Sequence, residues 1–386
     1  MKSNSEFLKK SKTKSIIVNI LCLFIAVVFI CGSCELFIRI YLPIPKNAGN
    51  LERKEWNRDY KKSAFIPNTE VIHSGIPVKI NSVGLKNKEI DISKTEGVMR
   101  ISMFGDSLVF GQGLKINETL SSQLEREWNK DKAWTVEVQV LNFGVCGMNT
   151  FQEMMYALNY GSQFNPDIVM FIWTYNDIEM NGYTLEDFEF FKTNHSIPLH
   201  ESVNSVIQHA ALGKDVGSFK GKESFTIYFW NFYAELKTRS RFIDFIGART
   251  KELMEKFGLH FKTSEKVIYG DTNSDGFKLS FSSLKYAHDE FINKGIEFYV
   301  ILYPVLLSLG NDYYNDLINK KVEEYCKTNN IDYLNLFSFF KGKDPSALHV
   351  STVDIHPNKY ANEIASKTIR HYLQQKSKHF SGLLAE

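Results

Sequence analysis

The sequence predicts a three-layer α/β/α fold, in which helices cover both faces of a parallel sheet of about five strands. Short apolar, strand-like runs alternate with helix-like segments through most of the chain after residue 100. This alternation favours a parallel sheet, because each strand is joined to the next by a crossover helix. Residues 168–173 are almost wholly apolar, which is typical of a central strand that is buried on both faces.

Five strands and five helices account for the regular part of the chain. The predicted strands are residues 101–104, 136–143, 168–173, 297–303 and 331–336. The predicted helices are residues 119–128, 151–163, 279–294, 313–328 and 359–375. In residues 119–128, for example, the apolar side chains Leu120, Leu124 and Trp128 are spaced by four, as on one face of a helix.

Residues 178–275 interrupt the alternation and are rich in Phe, Tyr, Lys and Asp. We interpret them as a mostly helical insertion at the carboxyl end of the third strand, where ligands of open α/β sheets bind. Its aromatic residues either flank a substrate pocket or pack inward as a core, and the sequence leaves both open. These residues are Phe188, Phe190, Phe191, Phe229, Trp230 and Tyr233.

Composition excludes several classes of protein. The 386 residues carry a net charge of +2, so no electrostatic argument favours a nucleic-acid partner. Three of the five cysteines lie in an N-terminal apolar run, and Cys146 and Cys326 are too far apart in sequence to indicate a disulfide framework. Neither metal-ligand spacing of histidines nor a glycine-rich phosphate loop occurs. We therefore expect no metal and no cofactor.

Residues 15–34 form an uncharged apolar run that is long enough to cross a bilayer as a helix. Five lysines precede it, which favours a cytoplasmic amino terminus. A cleaved signal peptide is the alternative, but its apolar region would be shorter and would end in small residues. We predict a cytoplasmic tail (residues 1–14), a single transmembrane helix (15–34) and a linker with an N-terminal extension (35–99). A domain outside the cytoplasm (periplasmic or extracellular, 100–376) and a tail (377–386) would follow.

Residues 100–113, RISMFGDSLVFGQG, contain the strongest chemical signal. An apolar strand stops at Gly105-Asp106-Ser107-Leu108, and a helix-like pattern follows. This arrangement presents a serine at the carboxyl end of a strand. Such a serine becomes a nucleophile only with a base that takes its proton and with donors that stabilise the oxyanion.

Three later segments supply those groups in chain order. Residues 142–150, NFGVCGMNT, follow the second strand and contain Gly147. Residues 174–177, TYND, follow the third strand and contain Asn176. Residues 353–358, VDIHPN, precede the last helix and contain Asp354 and His356.

Together these segments resemble the conserved blocks of the SGNH (GDSL) hydrolases, of the membrane-tethered bacterial type. The resemblance covers about residues 100–178 and 296–375 and implies a flavodoxin-like sheet. It implies that Ser107 is the nucleophile, that His356 is the base and that Asp354 orients the histidine. The backbone N–H groups of Ser107 and Gly147 and the amide of Asn176 would form the oxyanion hole.

The sequence departs from the family pattern at two positions. Thr174 stands where the family usually has glycine. Asp354 and His356 are separated by one residue rather than two. This shorter Asp-x-His-Pro-Asn pattern resembles that of many membrane-tethered bacterial relatives. Two rival assignments are Cys146 as the nucleophile and His349 as the base. We regard both as weaker, because no histidine is close to Cys146 and His349 lacks the following proline and helix start.

The resemblance implies an esterase that cleaves carboxylic esters through an acyl-serine, with an acylated glycan or a lipid among the candidate substrates. One alternative is an O-acetyltransferase or deacetylase of an envelope polysaccharide. The other is a non-catalytic envelope scaffold or sugar-binding protein with the same fold, against which the intact Ser107, Asn176 and His356 argue.

Overall fold

The computed structural model describes residues 2–41, 51, 60–130, 136–196, 242, 246, 274–307, 309–310, 313, 316–351 and 354–381. The chain divides into two compact units. One unit comprises residues 1–44 and 217–260, and the other comprises residues 45–216 and 261–386. The sheet and all the residues of the candidate site belong to the second unit.

Helix α1 (Lys2–Tyr41) belongs to the first unit. The strands of the second unit are β1 (Glu70–His73), β2 (Ile76–Lys79), β3 (Val98–Gly105), β4 (Glu137–Gly144), β5 (Ile168–Trp173), β6 (Glu297–Leu302), β7 (Asp332–Asn335), β8 (His349–Ser351) and β9 (Asp354–Pro357). Its helices are α2 (Ser107–Phe110), α3 (Leu120–Asn129), α4 (Thr150–Asn159), α5 (Leu185–Asn194), α6 (Asp275–Asn293), α7 (Asp316–Thr328), α8 (Phe337–Phe340), α9 (Lys359–Lys376) and α10 (Lys378–Ser381).

A five-stranded sheet with the order β4-β3-β5-β6-β7 forms the centre of the unit, and all its neighbouring strands are parallel. This confirms the predicted fold class. Strand β5 is the middle strand, and all of its residues are buried. Strands β3 and β4 end side by side, with Gly105 paired to Gly144. The loops that follow β3, β4 and β5 therefore leave the same edge of the sheet.

Helices pack on both faces of the sheet, as the sequence predicts. On one face, α3 and α9 bury Leu124, Trp128 and Ile369 against the apolar side chains of the strands. On the other face, α4, α6 and α7 form a second core through residues such as Phe151 and Phe291. Burial of side chains of this size contributes about 1.5–3 kcal/mol each, so the two cores stabilise the sheet that carries the site.

A predicted helix is shorter in the structure, and a pair of short strands near the site was not predicted. The helix predicted for residues 151–163 ends at Asn159, and a 3₁₀ turn (Gly161–Phe164) follows it. Asn165 adopts a left-handed conformation there, and Pro166 turns the chain into β5. The antiparallel pair β8–β9 was not predicted, because its strands are short and show no alternation of apolar and polar residues.

The part of the N-terminal extension that the structure describes contributes to the core. Strands β1 and β2 form an antiparallel hairpin, and Phe65, Val78 and Leu85 are buried with the side chains of α4. Residues 81–84 form a turn, in which the Gly84 N–H donates to the Asn81 carbonyl at 3.0 Å. The extension is therefore an integral layer over one face of the sheet.

Lys86, at the end of this extension, is buried, with 1% of its surface exposed. Its Nζ donates to the carbonyl oxygens of Gly111 and Leu114 at 2.9 and 2.7 Å and lies 4.5 Å from the centre of the Phe110 ring. Burial lowers the pKa of Lys86 to about 8. The extension thus holds the loop that follows α2 through one lysine.

Replacing Lys86 with methionine should change how stability depends on pH. Between the folded pKa of about 8 and the ordinary value of about 10.4, the unfolded chain binds more protons at Lys86, so this group makes wild-type stability rise with pH. From about pH 7.5 to about pH 9.5, the unfolding free energy of wild type should gain about 2 kcal/mol relative to K86M. Denaturant titrations at the two pH values measure this gain.

Lys88→Met is the matched control, because Lys88 is half exposed and pairs with Glu125 and Glu137. Over the same pH range, the unfolding free energy of wild type should not rise relative to that of K88M. If the unfolding free energy changed equally with pH relative to K86M and to K88M, the burial of Lys86 would make no specific contribution.

The described start of the predicted insertion packs inward. On α5, Phe188 and Phe191 are buried and contact the rings of Phe151 and Tyr286 edge-on. Phe190 is exposed. For Phe188 and Phe191, the core alternative is therefore the correct one. Phe229, Trp230 and Tyr233 lie outside the described residues.

Helix α1 contains an apolar stretch, Val18–Ile38, that is long and apolar enough to cross a membrane. It begins three residues after the start of the predicted span and ends four residues after its end. An N-terminal apolar helix is thus present, as predicted.

Candidate active site

Ser107 is the first residue of the short helix α2, directly beyond the carboxyl end of β3. The Asp106 side chain caps this helix, since its Oδ1 accepts from the Leu108 N–H at 2.9 Å. The neighbouring strand β4 must end in glycine for α2 to fit: a Cβ at Gly144 would lie 2.1 Å from the Phe110 nitrogen. The sequence around Ser107 therefore folds into a tight turn that presents its hydroxyl at the edge of the sheet.

The His356 ring lies between Ser107 and Asp354. Its Nε2 is 2.9 Å from the Ser107 Oγ, and its Nδ1 is 2.5 Å from the Asp354 Oδ1. The same carboxylate oxygen accepts from the His356 backbone N–H at 3.1 Å. The structure thus brings together, in one hydrogen-bonded line, the three residues that sequence analysis assigned as nucleophile, base and orienting acid.

The short spacing of Asp354 and His356 follows from strand geometry. Both residues lie on β9, and side chains two residues apart on a strand point to the same face. One intervening residue, Ile355, is therefore enough to place the carboxylate beside the ring. The departure from the usual spacing is compatible with the same contact.

The end of β9 is held by Asn358, which caps α9. Its Oδ1 accepts from the Ala361 N–H at 3.0 Å, and its Nδ2 donates to the carbonyls of Ala347 and His349 at 2.9 and 3.0 Å. The start of the last helix and the β8–β9 hairpin are thereby joined. This explains why an asparagine follows the His-Pro pair.

Electrostatics favour an ionised Asp354. Burial alone would raise its pKa, but the hydrogen bonds and the charge of His356 together hold the pKa below its ordinary value. An ionised carboxylate that accepts from Nδ1–H leaves Nε2 unprotonated and able to take a proton from a hydroxyl group. The line is therefore arranged for proton transfer from Ser107 to His356.

Asp106 is fully enclosed, and burial raises its pKa despite its hydrogen bonds with Asn176, Leu108 and Ser107. Its Oδ2 accepts from the Asn176 Nδ2 at 2.8 Å and lies 3.5 Å from the Ser107 Oγ. Besides capping α2, Asp106 thus binds Asn176, a contact that its position before Ser107 in the sequence could not indicate.

Gly147 and Asn176 lie in the loops after β4 and β5, next to the loop that carries Ser107. Gly147 has a φ of +75°, which favours glycine, and open space surrounds the position that a Cβ would occupy. Asn176 lies in a 3₁₀ turn (Tyr175–Ile178), and its amide has two N–H donors, of which one bonds Asp106. The other N–H has no hydrogen-bond partner among the residues that the structure describes.

Thr174 takes the position where glycine is usual without disturbing this turn. It has an extended backbone (φ −140°, ψ 174°), which any residue can adopt, and its N–H donates to the Asp177 Oδ2. The departure from the family pattern therefore has no consequence for the path of the chain.

The rival base His349 is engaged elsewhere. It lies on β8, and its Nε2 is 2.9 Å from the Leu306 carbonyl oxygen. Of the two histidines, His356 is the one at hydrogen-bonding distance from Ser107. Within the described residues, no group of three or more His, Cys, Asp or Glu side chains is arranged to hold a metal ion.

Solved structures similar to this chain include three esterases or lipases. A GDSL-like lipase from Bacteroides thetaiotaomicron has 10% sequence identity and a TM-score of 0.36, over 73% of this chain and 91% of that one. An acetyl xylan esterase has 13% identity and a TM-score of 0.39, over 71% and 100% of the two chains. An SGNH-hydrolase family esterase has 13% identity and a TM-score of 0.33, over 74% and 99%.

No protein-family model matches the sequence, and no curated protein matches it.

Proposed function

We propose that this protein is a serine hydrolase of the SGNH type, which cleaves carboxylic esters through an acyl-serine intermediate. The observation that carries the proposal is the hydrogen-bonded line from the Ser107 hydroxyl through His356 to the Asp354 carboxylate. A serine is activated when its hydroxyl bonds a base and that base in turn bonds an orienting acid.

The reaction proceeds in two halves. His356 Nε2 takes the proton of Ser107 as Oγ bonds to the ester carbonyl carbon, and the imidazolium then gives that proton to the leaving alcohol as the C–O bond breaks. His356 Nε2 then deprotonates a water molecule, whose oxygen attacks the acyl-serine carbonyl. The imidazolium gives that proton to Ser107 Oγ as the acyl C–Oγ bond breaks and the acid leaves. The proposed oxyanion donors are the backbone N–H groups of Ser107 and Gly147 and the Asn176 N–H that does not bond Asp106. Each donor contributes about a hundredfold to a thousandfold in turnover.

The test uses the full-length chain in detergent. We expect it to hydrolyse short-chain nitrophenyl esters and to be labelled covalently by a fluorophosphonate, with the label on Ser107. A folded chain that neither hydrolyses any ester of the series nor reacts with the probe would contradict the proposal.

Replacing Asp354 with asparagine should lower turnover by about 10⁴-fold, less than the loss of the nucleophile or the base. An amide donates to Nδ1 and so stabilises the wrong imidazole tautomer, but it keeps the ring in place. Ester hydrolysis measures the effect, with Asp344→Asn as the control because Asp344 is an exposed acid in the turn before β8. Full activity of D354N would indicate a Ser-His dyad.

We also propose that α1 anchors the protein in a membrane, with the five N-terminal lysines in the cytoplasm and the hydrolase outside it. The apolar stretch Val18–Ile38 and the lysines before it support this proposal.

Deleting residues 1–40 should move the protein from the membrane fraction to the soluble fraction and leave ester hydrolysis intact, because the candidate site lies in the other unit. Fractionation by ultracentrifugation measures the change. The anchor would be refuted if the full-length chain were soluble without detergent, or if its amino terminus were processed near residue 34.

A further inference from the structure

Two buried carboxyl groups, Glu153 and Asp177, lie next to the proposed oxyanion donors and have no place in the reaction described for Ser107. Glu153 is 1% exposed and lies in the first turn of α4, and Asp177 is 2% exposed and directly follows Asn176. The helix that bears Glu153 contacts the Asp177 turn, since the Thr150 hydroxyl donates to the Asp177 carbonyl at 3.3 Å. Each carboxyl shifts the pKa of the other as a hydrogen-bond partner. Two ionised carboxylates could not form that bond, since each can only accept.

If both groups were ionised, only one of their four carboxylate oxygens would have a hydrogen-bond donor among the described residues. Asp177 Oδ2 accepts from the Thr174 N–H, whereas Asp177 Oδ1 and both oxygens of Glu153 are buried without a hydrogen-bond partner among the described residues. A buried charge without a partner is strongly unfavourable. A single proton shared by the pair removes one of the two buried charges, and the protonated carboxyl then donates a hydrogen bond to the other carboxylate.

The proton belongs on Glu153. Burial raises the pKa of both groups well above their ordinary values, and the charges of Asp177 and Asp106 raise that of Glu153 further. The Thr174 N–H opposes this rise at Asp177, because it stabilises the carboxylate there. Among the described residues, the other charged groups that act on the pair are Asp106 and Glu179, and the charge of His356 acts on Asp106.

This contact joins the two loops that carry the proposed oxyanion donors. Helix α4, which bears Glu153, begins three residues after Gly147, and Asp177 closes the turn of Asn176. Other links run in parallel: Asn149 Nδ2 donates to the Glu179 carbonyl at 2.5 Å, the Thr150 hydroxyl donates to the Asp177 carbonyl at 3.3 Å, and Asn181 Nδ2 donates to the Gly147 carbonyl at 2.9 Å. Of these links, the carboxyl pair is the one that holds the Asp177 side chain, whose Oδ2 accepts from the Thr174 N–H.

We propose that Glu153 is a positioning residue: as a neutral acid it donates to Asp177 Oδ1 and fixes the Asn176 turn relative to the Gly147 loop. The role rests on the proposed hydrolase function, since it acts through the oxyanion donors. Glu153 does not touch the substrate. Its contribution is to turnover, because an oxyanion donor acts mainly in the transition state.

Two variants of the full-length chain distinguish the effect of the hydrogen-bond donor at position 153 from the effect of side-chain packing there. In Glu153→Gln, the amide N–H can donate to Asp177 Oδ1 as the acid does. In Glu153→Leu, the volume is kept and the donor is lost. We expect kcat for a short-chain ester to stay within about threefold of wild type in E153Q and to fall about a hundredfold in E153L, with little change in KM. Met155→Leu, at another buried position of α4, is the packing control and should leave kcat unchanged.

A measurement without substrate keeps the proposal testable if E153L does not fold or if no ester is hydrolysed. The infrared spectrum of the wild-type chain near neutral pH should contain the C=O band of a buried protonated carboxyl, and E153Q should lack that band. Failure of the hydrolase proposal would leave this result unchanged, so the two failures are distinguishable. The positioning role is overturned if the band persists in E153Q, if E153Q loses as much turnover as E153L, or if a folded E153L keeps full kcat.

Discussion

Replacing Ser107 with alanine should reduce ester hydrolysis by about 10⁶-fold and abolish fluorophosphonate labelling. The hydroxyl is the atom that bonds to the ester carbon, and alanine leaves nothing in its place for His356 to deprotonate. Stability should hardly change, because the side chain is only half buried and the Asp106 cap of α2 uses the Leu108 N–H rather than the serine hydroxyl. Initial rates on a nitrophenyl ester, together with gel fluorescence of the labelled chain, measure both effects.

A matched control is Ser122→Ala, which removes a half-buried serine on α3, away from His356. The control should retain the wild-type rate and labelling. If labelling survived in S107A, the nucleophile would be another residue, and Cys146, in the Gly147 loop, would be the next one to test.

Replacing His356 with alanine should produce a loss of the same order, about 10⁶-fold, because nucleophile and base act as one unit. Without the ring, the Ser107 hydroxyl has no acceptor for its proton, and Asp354 loses the partner that keeps its pKa low. Turnover and the rate of phosphonate labelling should fall together. An ester with a better leaving group should recover part of the loss of His356 but none of the loss of Ser107.

His349→Ala is the matched control, since this histidine lies on the neighbouring strand β8 and binds the Leu306 carbonyl. It should keep most of the activity. The opposite result, an active H356A and an inactive H349A, would mean that the base had been assigned to the wrong residue.

The sheet could be predicted from the sequence because its central strands β3, β5 and β6 are buried on both faces. Strand β5 has the bounds predicted for it, Ile168–Trp173, since Asp167 and Thr174 end an otherwise apolar run. Helix α3 begins one residue after the predicted start because Thr119 is its cap: the Thr119 hydroxyl accepts from the Ser122 N–H. In both cases local composition and burial favour the same structure.

The β8–β9 hairpin could not be predicted in this way. Its strands have three and four residues, and their side chains are mostly polar or half exposed. What holds them is the tertiary contact of Asn358 with Ala347 and His349, which no local pattern indicates. The proposed catalytic residues were therefore identified from motifs, while the reason for the Asp-x-His spacing became visible only in the structure.

The partner of Glu153 is a second feature of the site that local sequence patterns could not indicate. In the sequence it is a single acid among the apolar residues of 151–157, a pattern that indicates a buried charge without naming its partner. The partner, Asp177, lies in another loop beyond a complete strand. Only the packing of α4 against the turn after β5 brings the two groups together.

The hydrogen bond between Ser107 and His356 joins residues that are 249 positions apart in the chain. During synthesis, the nucleophile leaves the ribosome long before the base exists, and α9, which fixes the end of the hairpin, comes later still. A prematurely terminated chain that stops before residue 356 would hold the serine without its base. We therefore expect chains that stop before residue 356 to be inert towards esters, so that activity arises only after the β8–β9 hairpin has been synthesised.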